Sequence, residues 1–306
     1  MRSVGYITHD IFLEHRTPAW HPESPERLKA INESLVGSDL YQFLKTIPPR
    51  KAEKKEISRV HDISYIERVS NASPGYLDPD TYLSEKTYEA ALFAAGAVLT
   101  AVDNCKIGEI ERAFCAVRPP GHHAEQGRAM GFCVFNNVAV GARYAQRAGY
   151  ERVFIIDYDV HHGNGTEHAF YDDDTVFYLS THQYPHYPGT GNRDETGSGR
   201  GAGTTRNFPM PAGAGDEEYL RVFKDEVPAI MREFMPDIVI VSAGYDLHVR
   251  DPLSEIRVTD EGIRGIVQGI LSYGNIPYIF CLEGGYDLTG LSRSVLITIE
   301  ELLEIG

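Results

Sequence analysis

The chain has 306 residues, 42% hydrophobic and 24% charged, with a formal net charge of −15. Those values suit a globular protein with a sizeable core. They argue against binding a phosphate backbone, which runs on clustered Lys and Arg: the short basic run Arg50, Lys51, Lys54, Lys55 is broken by Glu53 and Glu56. No stretch approaches the roughly 20 apolar residues of a membrane span, and the N-terminus lacks the apolar core of a signal peptide. Cys105, Cys115, Cys133 and Cys281 form no C-x-x-C pair. The expectation is therefore a cytoplasmic protein with free buried thiols, no direct nucleic-acid binding and no membrane association.

In chain order the pattern predicts a strand at Val4–Ile7, a helix over Pro25–Leu35, and an alanine-rich helix over Ser84–Cys105 with Ser84 as its cap. A strand at Ala113–Val117, a helix over Asn136–Ala148 and strands at Val153–Asp157 and Val176–Ser180 follow. After a loop over Tyr184–Thr205 come a strand at Asn207–Met210, a helix over Asp216–Phe234 and a strand at Ile238–Ser242. The chain closes with a helix over Asp260–Ser272, a strand at Tyr278–Leu282 and a helix over Leu291–Leu303. Runs such as VFIID and DIVIVSAG are continuously apolar, which suits strands buried on both faces of a parallel sheet. Their alternation with helices implies an α/β fold. No linker divides the sequence, so one domain over 1–306 is expected. The Tyr184–Thr205 loop is too long for a structureless connector and reads as functional.

In open α/β sheets ligands bind beyond the carboxyl ends of the strands, and the polar clusters fall there. The strand VFII runs into Asp157-Tyr-Asp159-Val-His161-His162. Asp159 and His161 are two residues apart, so at an extended strand end their side chains point the same way. Asp246, ending a second strand, could supply a third ligand. Two carboxylates and one imidazole leave an open position for water and substrate, as a catalytic zinc site requires. His122-His123, after Arg118-Pro-Pro-Gly, could exchange protons near neutral pH. Tyr286 follows a Gly-Gly turn at a strand end and could donate a hydrogen bond to a developing oxyanion.

Taken in order, RPPGHHA, GFCVFNN, DYDVHHGNGT, YPGTG, SAGYD…DPL and EGGY resemble the histone deacetylase / acetylpolyamine amidohydrolase family, and His21-Pro-Glu-Ser-Pro-Glu-Arg-Leu is also similar. The resemblance runs from about His9 to Tyr286. It implies the three-layer α/β/α arginase/deacetylase fold around a mainly parallel eight-stranded sheet. It makes Asp159, His161 and Asp246 the Zn2+ ligands, His123 the general base and acid, His122 its electrostatic neighbour oriented by Asp157, and Tyr286 the oxyanion donor. Phe132 and Tyr187 would line the substrate channel, with Gly131 in its floor or wall; the family usually has Phe where Tyr187 stands. A structural K+ would involve Asp157, Asp159, His161 and Ser180, and a second monovalent site would lie near Phe170, Asp173 and Val176. Asn164 stands where some members have Asp, which resembles the class II branch and should favour a neutral resting base.

The resemblance leaves the substrate open between acyl-lysine in a peptide or protein and an acetylated polyamine. Leu253 occupies the position where a polyamine-specific branch has Glu, which favours acyl-lysine, although Glu255 or Glu14 could substitute. An arginase-like ureohydrolase fits less well, because the pattern is Asp-x-Asp-x-His rather than Asp-x-His-x-Asp. A catalytically inactive binding or sensor module on the same fold is the alternative outside enzymes. Monomer and homodimer both stay open.

Overall fold

Short runs with mostly apolar centres, such as AFC, VFIID, IVIVSA and YIFCL, can be satisfied only inside a sheet covered on both faces. The computed structural model describes residues 2–304 and builds that sheet. Its strands are β1 (Val4–Ile7), β2 (Leu44–Ile47), β3 (Arg112–Cys115), β4 (Val153–Asp157), β5 (Val176–Gln183), β6 (Thr205–Met210), β7 (Ile238–Ala243) and β8 (Tyr278–Leu282). They lie in the order β2-β1-β3-β8-β7-β4-β5-β6, and every neighbouring pair is parallel. The four central strands β3, β8, β7 and β4 are buried along their whole length. Each fully buried Val, Ile or Phe there contributes about 1.5–3 kcal/mol.

The helices fall into two packed groups. Thr87–Lys106 packs on Asn137–Arg147; Leu288–Leu303 packs on Pro25–Val36 and on Asp260–Leu271. The Thr87–Lys106 helix buries small side chains almost all round, from Ala90 to Ala101, so the sheet, its neighbour helix and the preceding segment at Arg50 and Ala52 can all approach it closely.

Several predicted elements need correction. Ser84 does not cap the alanine-rich helix, which starts at Thr87; the Ser84 hydroxyl lies 2.9 Å from that of Thr87 instead. The strand expected at Ala113–Val117 is Arg112–Cys115, leaving Ala116–Val117 to lead into the loop. The Asp216–Phe234 helix is interrupted by a π turn at Val222–Glu226. β2 carries no apolar run to announce it, because its central residues Lys45 and Thr46 are exposed and its apolar ends Leu44 and Ile47 only half-buried.

Candidate active site

Because β3, β8, β7 and β4 are neighbours in space, the four polar clusters that follow them converge at one edge. Ligand atoms of Asp159, His161 and Asp246 all lie within 4.8 Å of one another. His161 Nδ1 is 3.1 Å from Asp159 Oδ1 and 3.2 Å from Asp246 Oδ2. Backbone N–H groups hold the carboxylates from behind: Val160 donates to Asp246 Oδ1 at 2.9 Å and Gly284 to Asp159 Oδ2 at 2.8 Å. Gly284 must be glycine here, since a Cβ would collide with the carboxylates of both Asp246 and Asp159.

The charge in this cluster is unbalanced. Burial alone would push the His161 imidazole down, yet the Asp159 hydrogen bond and the charges of Asp159 and Asp246 hold it up at about 10. Burial and the Asp159 charge push the Asp246 carboxyl up. Asp246 Oδ2 is buried and accepts no hydrogen bond. Two buried carboxylates, one of them with an orphaned oxygen, and an imidazole are a donor set that fits a divalent cation. A second group, His122, Cys133 and Glu283, is also close enough to share an ion. Its carboxylate is already engaged: Glu283 Oε2 accepts from Gly121 N at 2.6 Å, and Oε1 from Ser242 Oγ at 3.2 Å. Burial also keeps the Cys133 thiol protonated, so that group is a strut under the histidine loop.

The two adjacent histidines are in opposite electrostatic states. His122 Nδ1 lies 3.0 Å from Asp157 Oδ2. Burial opposes its charge, but Asp157 and Asp159 raise it to about 10. His123 Nδ1 lies 2.8 Å from Asn164 Oδ1. Burial, the His122 charge and the His161 charge hold it well below the ordinary histidine range. Asp157, buried, is pushed up to about 6 even with His122 beside it.

Tyr286 hangs on a turn fixed from two sides. Asp251 Oδ2 accepts from Tyr286 N at 2.6 Å, and its Oδ1 accepts from Leu253 N at 3.0 Å. Behind the turn, the fully buried Arg27 donates to Gly285 O at 2.7 Å and Glu283 O at 2.5 Å, and its guanidinium sits 5.0 Å from the Tyr286 ring centroid. Glu23, buried with both Arg27 and Arg118, pairs with each of them. Arg118 also donates to Phe12 O and His15 O, so one carboxylate ties the Tyr286 turn to the start of the histidine loop.

A cavity of about 110 Å³ opens onto these groups, lined by His122, His123, His161, Gly284 and Tyr286 below and by Gly131, Phe132, Tyr187, Leu253 and Asp80 above. Tyr187 stands edge-on to His123, with ring centroids 5.2 Å apart, and Phe132 edge-on to Tyr286 at 5.9 Å. Gly131 lies so close to His123 that a Cβ would meet its ring. Phe132, at φ +68°, holds a backbone conformation unusual for an aromatic residue. Its N–H donates to Thr81 Oγ1 at 3.1 Å, and that of Gly131 to Asp80 Oδ1 at 3.0 Å.

The structure brings Asp159, His161 and Asp246 together and sets His122 and His123 beside them in the cavity wall, whereas the two acids that the sequence offers for the rim lie elsewhere. Glu14 pairs with Arg16 at the surface, and Glu255 is bound to Gln183; neither lines the cavity. Asp80, which does, sits in a turn (DPDT) whose composition signals only a turn. Glu23, Asp251 and Glu283 were likewise given no role of their own. Ser180 is in register with Asp157 across β4 and β5, and its hydroxyl lies 2.9 Å from His182 Nδ1. The carboxylate of Asp173 is taken by Arg143 and Thr175.

Residues 21–302 match the histone deacetylase domain. The "Probable deacetylase" of Methanothermobacter thermautotrophicus is 43% identical, over 90% of this chain and 83% of its own length. That of Archaeoglobus fulgidus is 36% identical, over 94% and 82%. "Histone deacetylase 14, chloroplastic" of Arabidopsis thaliana is 40% identical, over 92% and 73%. The crystal structure of the HDA15 HD domain superposes with a TM-score of 0.93 at 38% identity, over 99% of this chain and 88% of the other.

Proposed function

The chain belongs to the histone deacetylase family, and on that premise we propose that it is a zinc-dependent amidohydrolase acting on acetyl-lysine in a peptide or protein, releasing acetate and the free amine. The observation that carries the reading is the Asp159–His161–Asp246 cluster, with its orphaned Asp246 oxygen, which meets through His161 a cavity also lined by a neutral histidine and a tyrosine. Asp159, His161 and Asp246 would hold the zinc. Bound there, it would supply Lewis acidity toward the acyl carbonyl and a more acidic water. K+ near Asp157, Asp159, His161 and Ser180 belongs to the same reading. So do one catalytic domain over 1–306 and a cytoplasmic setting for the four unbridged, buried cysteines.

This chain's own residues do the rest. His123, kept neutral, takes a proton from the attacking water through Nε2 and returns it to the departing amine. His122, held protonated between Asp157 and Asp159, keeps positive charge beside the reaction and helps hold His123 neutral. Tyr286 keeps its proton because burial raises it well above the ordinary tyrosine range, so it donates to the oxyanion as that charge develops. Phe132, Tyr187, Gly131 and Leu253 enclose the aliphatic stem and exclude water.

Asp80 favours a second reading. It is the one carboxylate among the described residues that line the cavity above the floor, and a carboxylate there could receive the free ammonium of an N-acetylpolyamine. The test is the rate of the zinc-loaded protein on an acetyl-lysine peptide against N-acetylputrescine, with Tyr286→Phe as control. A faster peptide rate, lost in the variant, supports the lysine reading; a faster polyamine rate replaces it with the second. No turnover of either, or of longer acyl chains, would favour a binding module.

A further inference from the structure

The neutral partner of His123 leads outward to a group for which the reaction has no other use. Asn164 presents Oδ1 to His123 Nδ1 at 2.8 Å. A side-chain amide can occupy the same space turned either way, and only one orientation offers an acceptor to the imidazole. The other end of the amide settles which. Asn164 Nδ2 faces Glu125 Oε1 at 2.5 Å, His123 O at 3.4 Å and Met130 Sδ at 3.4 Å. All three are acceptors, so a flipped amide would set its oxygen against a carboxylate and a carbonyl. Glu125 is itself held firmly. His168 Nδ1 donates to both its oxygens, at 2.9 and 3.0 Å. Its backbone N–H donates to Arg128 O at 3.0 Å, and its carbonyl lies 2.8 Å from His61 Nδ1.

We propose that Glu125 is a positioning residue for the reaction: through the Asn164 amide it fixes His123 in the tautomer protonated at Nδ1, leaving the Nε2 lone pair facing the cavity. The inference rests on His123 being the base. Where a carboxylate at position 164 would accept from Nδ1 whichever way it turned, an amide needs an outside group to orient it, and Glu125, braced by His168, is that group. Glu125 touches neither the cavity nor the zinc ligands, so its effect falls on turnover and not on substrate binding.

The test compares Glu125→Met, which removes the acceptor, with Glu125→Gln, which keeps an acceptor without charge, and with the double variant Glu125→Met/Asn164→Asp. In Glu125→Met, kcat should fall about tenfold with KM within twofold, short of the roughly 100-fold or greater loss of removing the base itself. Glu125→Gln should lose less. The double variant should recover most of the kcat, because the carboxylate no longer depends on orientation. Nitrogen NMR of imidazole-labelled protein should show His123 as a single Nδ1–H tautomer in the wild type and as a mixture in Glu125→Met. Unchanged kcat and tautomer in Glu125→Met would overturn the proposal. So would a loss that follows thermal stability and is not rescued by Asn164→Asp. If the wild type hydrolyses no acyl-lysine substrate, the proposed function fails first, and the His123 tautomer in Glu125→Met still decides this inference.

Discussion

The floor and the rim of the cavity are built on different principles. The floor residues Asp159, His161, Asp246 and Gly284 sit just beyond the ends of adjacent buried strands, and apart from the orphaned Asp246 Oδ2 the carboxylate oxygens are met by backbone N–H groups and by His161. The rim residues Phe132, Tyr187, Leu253 and Asp80 stand on loops, with Tyr187 40% exposed. A strand end has few ways to move, whereas a loop is held only by what packs on it. On the proposed reading, the contrast would let the floor decide which reaction is possible and the rim decide on what.

Variants can break or sharpen that contrast, and the largest effect belongs to the floor. Asp246→Ala should abolish both zinc retention, measured by metal analysis, and turnover, as a chelator should in the wild type; zinc restores only the latter. Next comes the anchor behind the floor. Glu23→Gln leaves two buried guanidiniums without their counter-charge and should cost about 3–5 kcal/mol of stability in denaturant unfolding. Burial opposes the charge of Glu23, but Arg118 and His15 hold its carboxyl well below the ordinary range. Its stabilising contribution is therefore fully present above the unfolded value of about 4.3 and is lost as pH falls toward the depressed folded value. The stability gap between wild type and variant should close in that acid window. Tyr286→Phe should lower kcat roughly 100-fold or more while zinc content stays at the wild-type level. At the rim, Leu253→Glu should leave the reaction intact and shift the ratio of N-acetylputrescine to peptide rates upward, by about tenfold at most. A rim substitution that removed zinc would overturn the division between the two regions.

The same division governs what could be read from the sequence. Asp159 and His161 were legible because they stand two residues apart just past the apolar run of β4, although the chain bends there and is no longer strand; Asp246 was legible because a long apolar run leads to it. β4, β7 and β8 announce themselves by unbroken apolar runs. β2 does not, since an edge strand with Lys45 and Thr46 exposed has no such run. Asp80, Glu23 and Glu125 escaped notice because each earns its place through a contact made across the fold. Arg118, for instance, is 95 residues from Glu23, and no local pattern encodes that distance. The Asp216–Phe234 helix carries a helical pattern throughout, so its π turn, which shifts the register by one residue, has no local signature either.

The strand order has a consequence for how the protein comes into being. Asp159 reaches its backbone donor Gly284 across 125 residues of sequence, so a growing chain carries Asp159 long before the turn that supports it exists. At about 5–20 residues per second of synthesis, Asp159 waits roughly 6–25 s for Gly284 to be translated. On the proposed zinc reading, a ribosome stalled before β8 would hold a chain whose three ligands are translated but whose sheet, and with it the Gly284 support of Asp159, is still incomplete.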